Sequence, residues 1–258
     1  MFSLDRVRVG DRWLETGRVG PAPAHAQQLV FLHDGLGCLA MWGDVPRRLA
    51  ASVGAGAFAY SRAGYGGSVA APLPRPVSFM RDEALDVLPV VLAEAGIQRP
   101  VLVGHSDGAS IALIYAASRP DAVRALVLIA PHVFVEDVTV ASITELSRDP
   151  SVASKLGRYH GANAVDTVSG WCEVWLRPEF REWNIQGVLP AIECPVFVVQ
   201  HEADPYGTSA QVEAIASGCC VHVDTLMVPG TGHAPHRDAA DVVLPAIASF
   251  LRRCAQNR

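Results

Sequence analysis

From Gln28 onward the sequence alternates short, uninterrupted apolar runs with stretches patterned for helices, and this rhythm narrows the choice of fold more than any other feature. The runs fall at 29–32, 57–60, 101–103, 125–129 and 195–199, and a further strand is expected at 223–228. A strand that is apolar on both faces must be covered on both, so the runs predict a mostly parallel sheet flanked by helices. Helices are expected near 40–51, over 79–95 with Leu85, Leu88, Val91 and Leu92 inward, after Ser106, at 209–216 and at 238–253. Ahead of this region, 7–9 and 13–16 flank a Gly10-Asp11 turn and read as an antiparallel pair.

The rhythm stops between Ala130 and Ile192. That stretch shows no clear strand, reads as short helices and holds Trp171, Trp175 and Trp183. It is too apolar for a disordered insertion, and its position between two sheet strands predicts a helical lid over the strand ends. The expected division is a core of 1–130 and 193–258 with a lid of 131–192 inserted after the sixth strand.

Composition excludes several classes. Half the residues are apolar and 18% are charged, which supports a sizeable core. Net charge is −5 with no basic cluster, against a nucleic-acid partner. The six cysteines show no paired spacing and read as reduced thiols. No run is long enough to span a membrane, and the charges at Asp5 and Arg6 argue against a signal peptide. The expectation is a cytoplasmic protein, open to homo-oligomer formation, with no membrane or nucleic-acid partner. No cofactor is called for, and no metal-ligand spacing appears, since His233 and His236 lack an accompanying acid or thiol cluster.

Chemistry is carried by Gly104-His105-Ser106-Asp107-Gly108, set between an apolar run and a small-residue helical pattern. A strand-to-helix turn this tight tolerates little beside the serine and pushes its hydroxyl out of the sheet. A serine needs a base to become a nucleophile, and the base needs an orienting carboxylate. His233, on a glycine-rich loop beyond 223–228, is the candidate base. Asp204, beyond 195–199, is the candidate acid, with Glu202 and Asp238 as competitors. The chain order Ser106, Asp204, His233 suits this assignment. Oxyanion donors are expected from the backbone N–H of Asp107 and from Gly35 or Leu36, with Gly37 as a plain turn glycine. Asp34, His132, Trp171 and Trp175 are candidate pocket residues, while His105 reads as packing beneath the nucleophile and Asp107 as a first-turn helix acid.

With these motifs in hand, nearly the whole chain resembles the α/β-hydrolase superfamily, in its serine-nucleophile esterase and meta-cleavage-product-hydrolase-like branch. The pentapeptide matches Gly-x-Ser-x-Gly. His33-Asp34-Gly35-Leu36-Gly37 resembles the oxyanion loop, with Trp42 at a familiar distance. Ser61-Arg62-Ala63-Gly64-Tyr65-Gly66-Gly67-Ser68 resembles the Asp-Arg-x-Gly-x-Gly-x-Ser turn, Gln200 to Asp204 the acid loop, and Gly232-His233 with Pro235-His236 the histidine loop. Three positions depart from the pattern: Asp34 for a glycine, Ser61 for an aspartate, His201 for a glycine. The resemblance implies the α/β-hydrolase fold and a carboxylesterase-type serine hydrolase acting on a small-to-medium ester, lactone or related carbonyl substrate. Carbon–carbon bond hydrolysis of aromatic meta-cleavage products is the runner-up and would call for a cationic pocket, with Arg62, Arg177 and Arg181 available. A hydrolase-like ligand receptor with negligible turnover is the reading from another class, and perhydrolysis would use the same triad.

Overall fold

The computed structural model describes residues 2–256; Met1, Asn257 and Arg258 of the expected core lie outside them. Eight strands form one sheet: β1 (Ser3–Val9), β2 (Arg12–Val19), β3 (Gln28–Leu32), β4 (Gly56–Tyr60), β5 (Val101–His105), β6 (Ala125–Ile129), β7 (Val196–Ala203) and β8 (Val223–Thr231). Their order is β1-β2-β4-β3-β5-β6-β7-β8. β2 pairs antiparallel with β1 on one side and with β4 on the other, and every later pairing is parallel.

The uninterrupted apolar runs are explained by two cores. Val30, Leu102, Leu126 and Val198 point into one cluster, while Leu29, Phe31, Val101, Val103, Val127 and Phe197 point into the other. Because successive side chains leave a strand on opposite faces, a strand between two cores needs apolar residues at every position. Helices Val45–Val53 and Ala240–Gln256 cover one face. The 79–94 segment and the Asp107–Ser118 helix cover the other. The Asp107–Ser118 helix is buried over most of its surface, which is why its sequence lacks a polar stripe.

Three elements differ from expectation. The 79–95 helix contains a π turn at Glu83–Val87, because Pro89 lacks the N–H that would bond to Leu85 and its ring crowds that carbonyl. The last helix spans Ala240–Gln256 instead of 238–253, and ahead of it a separate short turn, Pro235–Asp238, ends at Ala239 (φ −129°) and carries His236 into the interior. And β8 runs through Pro229-Gly230-Thr231 rather than turning there. Its partner β7 also extends, to Ala203, and the two stay paired past a bulge at His201–Ala203.

Between β6 and β7 the described residues form helices Asp137–Ser147, Ser151–His160 and Ala164–Leu176, followed by 3₁₀ turns. The segment is tied at its base by a bridge between Phe134 and Asn184 and by the Ile185 N–H donating to the Val133 carbonyl at 2.7 Å. No helix among the described residues is long and apolar enough to cross a membrane, and all six cysteines are free thiols.

Candidate active site

The turn after β5 is built by the absence of side chains. Ser106 sits at φ +52°, ψ −120°, a conformation that costs free energy in any residue with a Cβ. A Cβ on Gly104 would fall 2.4 Å from the Gly108 carbonyl oxygen, and one on Gly108 would fall 2.0 Å from that of Leu32. The serine backbone is locked from both sides. Its N–H donates to the Ile129 carbonyl at 2.9 Å, and its carbonyl accepts from Ala109 at 2.8 Å.

Of the three carboxylates in contention, Asp204 is the one bonded to His233. Nδ1 of the ring lies 2.9 Å from both carboxylate oxygens. Oδ1 also accepts the Tyr206 N–H at 2.8 Å, so the acid is fixed by its own loop. Glu202 is exposed, and the Asp238 carboxylate lies instead 3.7 Å from His201 Nε2. With Nδ1 donating to a carboxylate, Nε2 of a neutral His233 is left as the proton acceptor.

The loop after β3 is held by Arg62. The guanidinium donates to the carbonyls of His33 (2.7 Å) and Asp34 (2.9 Å) and stacks 4.9 Å from the Tyr65 ring. The Arg62 N–H also donates to His33 Nε2 at 3.1 Å, so the hydrogen on that ring is on Nδ1, which donates to the Asp34 carbonyl at 2.8 Å. Ser61 stands where the family pattern has a carboxylate. Here the Glu15 carboxylate, from β2, accepts from Ser61 Oγ at 2.7 Å and from the Gly67 N–H at 3.0 Å. Glu15 carries no motif of its own and is invisible to sequence reading.

Asp34 is more than a departure from the pattern. Its Oδ1 lies 3.5 Å from His105 Nδ1, and His105 Nε2 donates to the His233 carbonyl at 2.7 Å. His105 therefore links the β3 loop to the histidine loop across the strand that carries Ser106. Burial opposes the charge on Asp34, but the neighbouring His105 holds its carboxyl well below the usual range. Gly37 makes room for that carboxylate, since a Cβ there would meet Oδ1 at 2.0 Å. Asp107 is the first-turn acid of its helix, as expected. It is fully buried and accepts from Trp171 Nε1 at 3.0 Å, and burial, opposed by Arg62 and Trp171, raises its carboxyl pKa.

Ser106 and His233 open into one cavity of about 90 Å³. Asp34, Gly35 and Leu36 line it from the loop after β3, His132 from the stretch just after β6, and Trp171 and Trp175 from the helical segment. Gly35 is pressed so closely against the Trp171 indole that a Cβ would overlap Nε1 at 2.1 Å. Thr139, Ile143, Leu146 and Tyr206 also line the cavity and were not legible beforehand. The first three look like ordinary inward positions of a helix. Tyr206, whose ring lies 4.8 Å from that of His233, had only its nearness to Asp204 as a signal.

None of the three candidate arginines joins this lining. Arg62 is spent on the β3 loop, Arg177 donates to the Arg75 carbonyl and to Glu173, and Arg181 pairs with Asp137. Among the described residues no group of His, Cys, Asp and Glu is arranged to hold a metal ion.

Three histidines near the site are held neutral. Burial, reinforced by His233, pushes His132 down to about 3, and burial drives His33 and His236 well below 6.5. Below pH 6.5 the unfolded chain takes up protons that the folded one refuses. The stability these rings contribute above that pH is therefore lost as pH falls, each by about 1.4 kcal/mol per unit. Urea unfolding followed from pH 7 to 5 should show a slope approaching about 4 kcal/mol per pH unit below pH 6. A slope of a single proton or less would contradict the neutral assignment.

The alpha/beta hydrolase family model matches residues 29–246. The serine hydrolase BPHL of Mus musculus is 29% identical over 155 residues, covering 57% of this chain and 53% of that protein, and the Homo sapiens protein is 30% identical over the same lengths. The chain thus spans about half the length of the curated relatives it matches. Among solved structures, the enol-lactonase from Burkholderia xenovorans LB400 is similar in fold, with a TM-score of 0.74, 18% identity, and coverage of 96% of this chain and 100% of that one.

Proposed function

The chain belongs to the alpha/beta hydrolase family, and on that premise we propose that it is a carboxylesterase-type serine hydrolase in which Ser106, His233 and Asp204 form the triad. The observation that carries this reading is His233, held through Nδ1 by both oxygens of Asp204 at 2.9 Å and sharing a cavity with a serine on a strained strand-to-helix turn. Ser106 Oγ attacks the substrate carbonyl carbon as His233 Nε2 takes its proton. The resulting oxyanion is met by the backbone N–H of Asp107 and that of Gly35 or Leu36. Collapse breaks the ester C–O bond, His233 returns the proton to the leaving alcohol, and an acyl-Ser106 intermediate remains. Water, deprotonated by the same histidine, attacks the acyl carbon and releases the acid.

In this reading residues 131–192 act as a lid, with Trp171 and Trp175 facing the reacting group. The six free thiols support a reducing, cytoplasmic setting. The test is labelling by a serine-directed fluorophosphonate with peptide mapping. One adduct per chain on the peptide holding Ser106, with steady turnover of 4-nitrophenyl acetate, is expected. An adduct elsewhere refutes the triad, and labelling without turnover points to a ligand receptor.

A substrate carboxylate, as carbon–carbon hydrolysis would require, meets the ionised Asp34 and no Arg or Lys in the described lining. Like charges within a few ångströms of each other here cost about 1–2 kcal/mol, roughly tenfold in rate. The monosuccinate 4-nitrophenyl ester should therefore have a kcat/KM about tenfold below the butyrate ester, and Asp34→Asn should narrow that ratio. Equal rates for the two esters in the parent protein would show that Asp34 does not act on the substrate.

A further inference from the structure

We propose that Trp175 sets the acyl length this enzyme accepts, closing the substrate cavity at about the size of a butyryl group. The inference deepens the serine-hydrolase reading and rests on Ser106 being the nucleophile.

The cavity shared by Ser106, His233 and Trp175 measures about 90 Å³. An apolar cavity of about 150 Å³ is what a benzene molecule fills. The space beside Ser106 is therefore too small for an aryl ring and suits three or four carbon-sized groups. For an aryl ester this decides orientation: the ring stays outside and the acyl group takes the cavity.

Trp175 is the wall backed by further aromatic side chains. Its side chain is fully buried, with its ring 5.4 Å from that of His132 and 6.1 Å from that of Trp171, both facing the cavity. On its other contacts it meets Phe180 at 4.9 Å and Trp183 at 6.1 Å. Trp183 stacks on Phe180 and lines a separate groove of about 610 Å³ with Leu85, Ile114, Ile185 and Val188. Trp175, backed by Phe180 and Trp183, thus closes the small reactive cavity on the side toward the larger apolar groove, which Trp183 lines and Trp175 does not. Removing the Trp175 ring lengthens the reactive cavity toward the Phe180 and Trp183 rings.

The experiment is a series of 4-nitrophenyl esters from acetate through butyrate and hexanoate to octanoate, with kcat/KM normalised to serines titrated by fluorophosphonate. The parent protein should lose about tenfold or more on going from butyrate to hexanoate, since each methylene that does not fit is discriminated by that order. Trp175→Ala should raise the octanoate-to-butyrate ratio by about tenfold or more. A large-to-small change at a buried ring destabilises, so Trp175→Leu is measured alongside and should move the ratio the same way. A flat profile to octanoate in the parent protein overturns the proposal. So does a parent-like profile in both variants when each titrates one serine per chain. Either result leaves the nucleophile intact, whereas absent labelling at Ser106 in the parent protein refutes the triad itself.

Discussion

Ser106→Ala is expected to lower kcat for 4-nitrophenyl acetate by about 10⁵–10⁶-fold and to abolish fluorophosphonate labelling, while the free energy of urea unfolding stays within about 1 kcal/mol of the parent. The hydroxyl makes no capping bond to the helix it precedes, so the fold does not depend on it. The backbone bonds of residue 106 to Ile129 and Ala109 survive the change, and alanine meets the same positive φ that serine already tolerates. Whatever rate remains over water reports the oxyanion donors and binding alone. Activity within tenfold of the parent would remove Ser106 from the chemistry.

Gly108→Ala should do the reverse, breaking the framework without touching a reacting group. The new Cβ would lie 2.0 Å from the Leu32 carbonyl oxygen, 2.5 Å from its carbon and 2.8 Å from the His33 carbonyl oxygen. These are backbone atoms at the end of β3, where the chain enters the loop expected to supply an oxyanion donor, and a rotamer change cannot move them aside. The helix must shift off the sheet. We expect a loss of about 3–5 kcal/mol in urea unfolding and a severe loss of turnover in whatever remains folded. Gly157→Ala is the control. That residue lies in the Ser151–His160 helix with open space where its Cβ would go, so the variant should gain up to about 1 kcal/mol. If Gly108→Ala is as stable as the control, the close approach of helix and strand is not what requires the glycine.

The contrast between these two positions shows why some of the site was legible in advance. The elbow glycines are a local requirement, and local requirements leave spacing in the chain. The same holds for the strands: a position between two cores must be apolar whatever else the protein does. The exceptions were also local but subtler, as when Pro89 opened a π turn in a helix whose periodicity looked continuous. Glu15 shows the other kind of case. It supplies a carboxylate to the Ser61–Ser68 turn from a strand 46 residues earlier, and nothing in its neighbourhood marks it.

By itself the sequence determines the alternation of strands and helices, the strand-to-helix turn at Ser106 and a short set of residues able to serve as base and acid, because each depends on periodicity or on glycine spacing within a few positions. Tertiary structure alone decides which carboxylate meets His233, since Glu202, Asp204 and Asp238 differ only in where the β7 and β8 loops converge. It also decides that Arg62 braces the loop after β3 instead of facing substrate, and that Asp34 reaches His105. The size of the cavity beside Ser106 belongs to the same group. Its walls come from residues scattered between Asp34 and His233, and a distance between packed side chains that far apart in the chain leaves no spacing in the sequence to read.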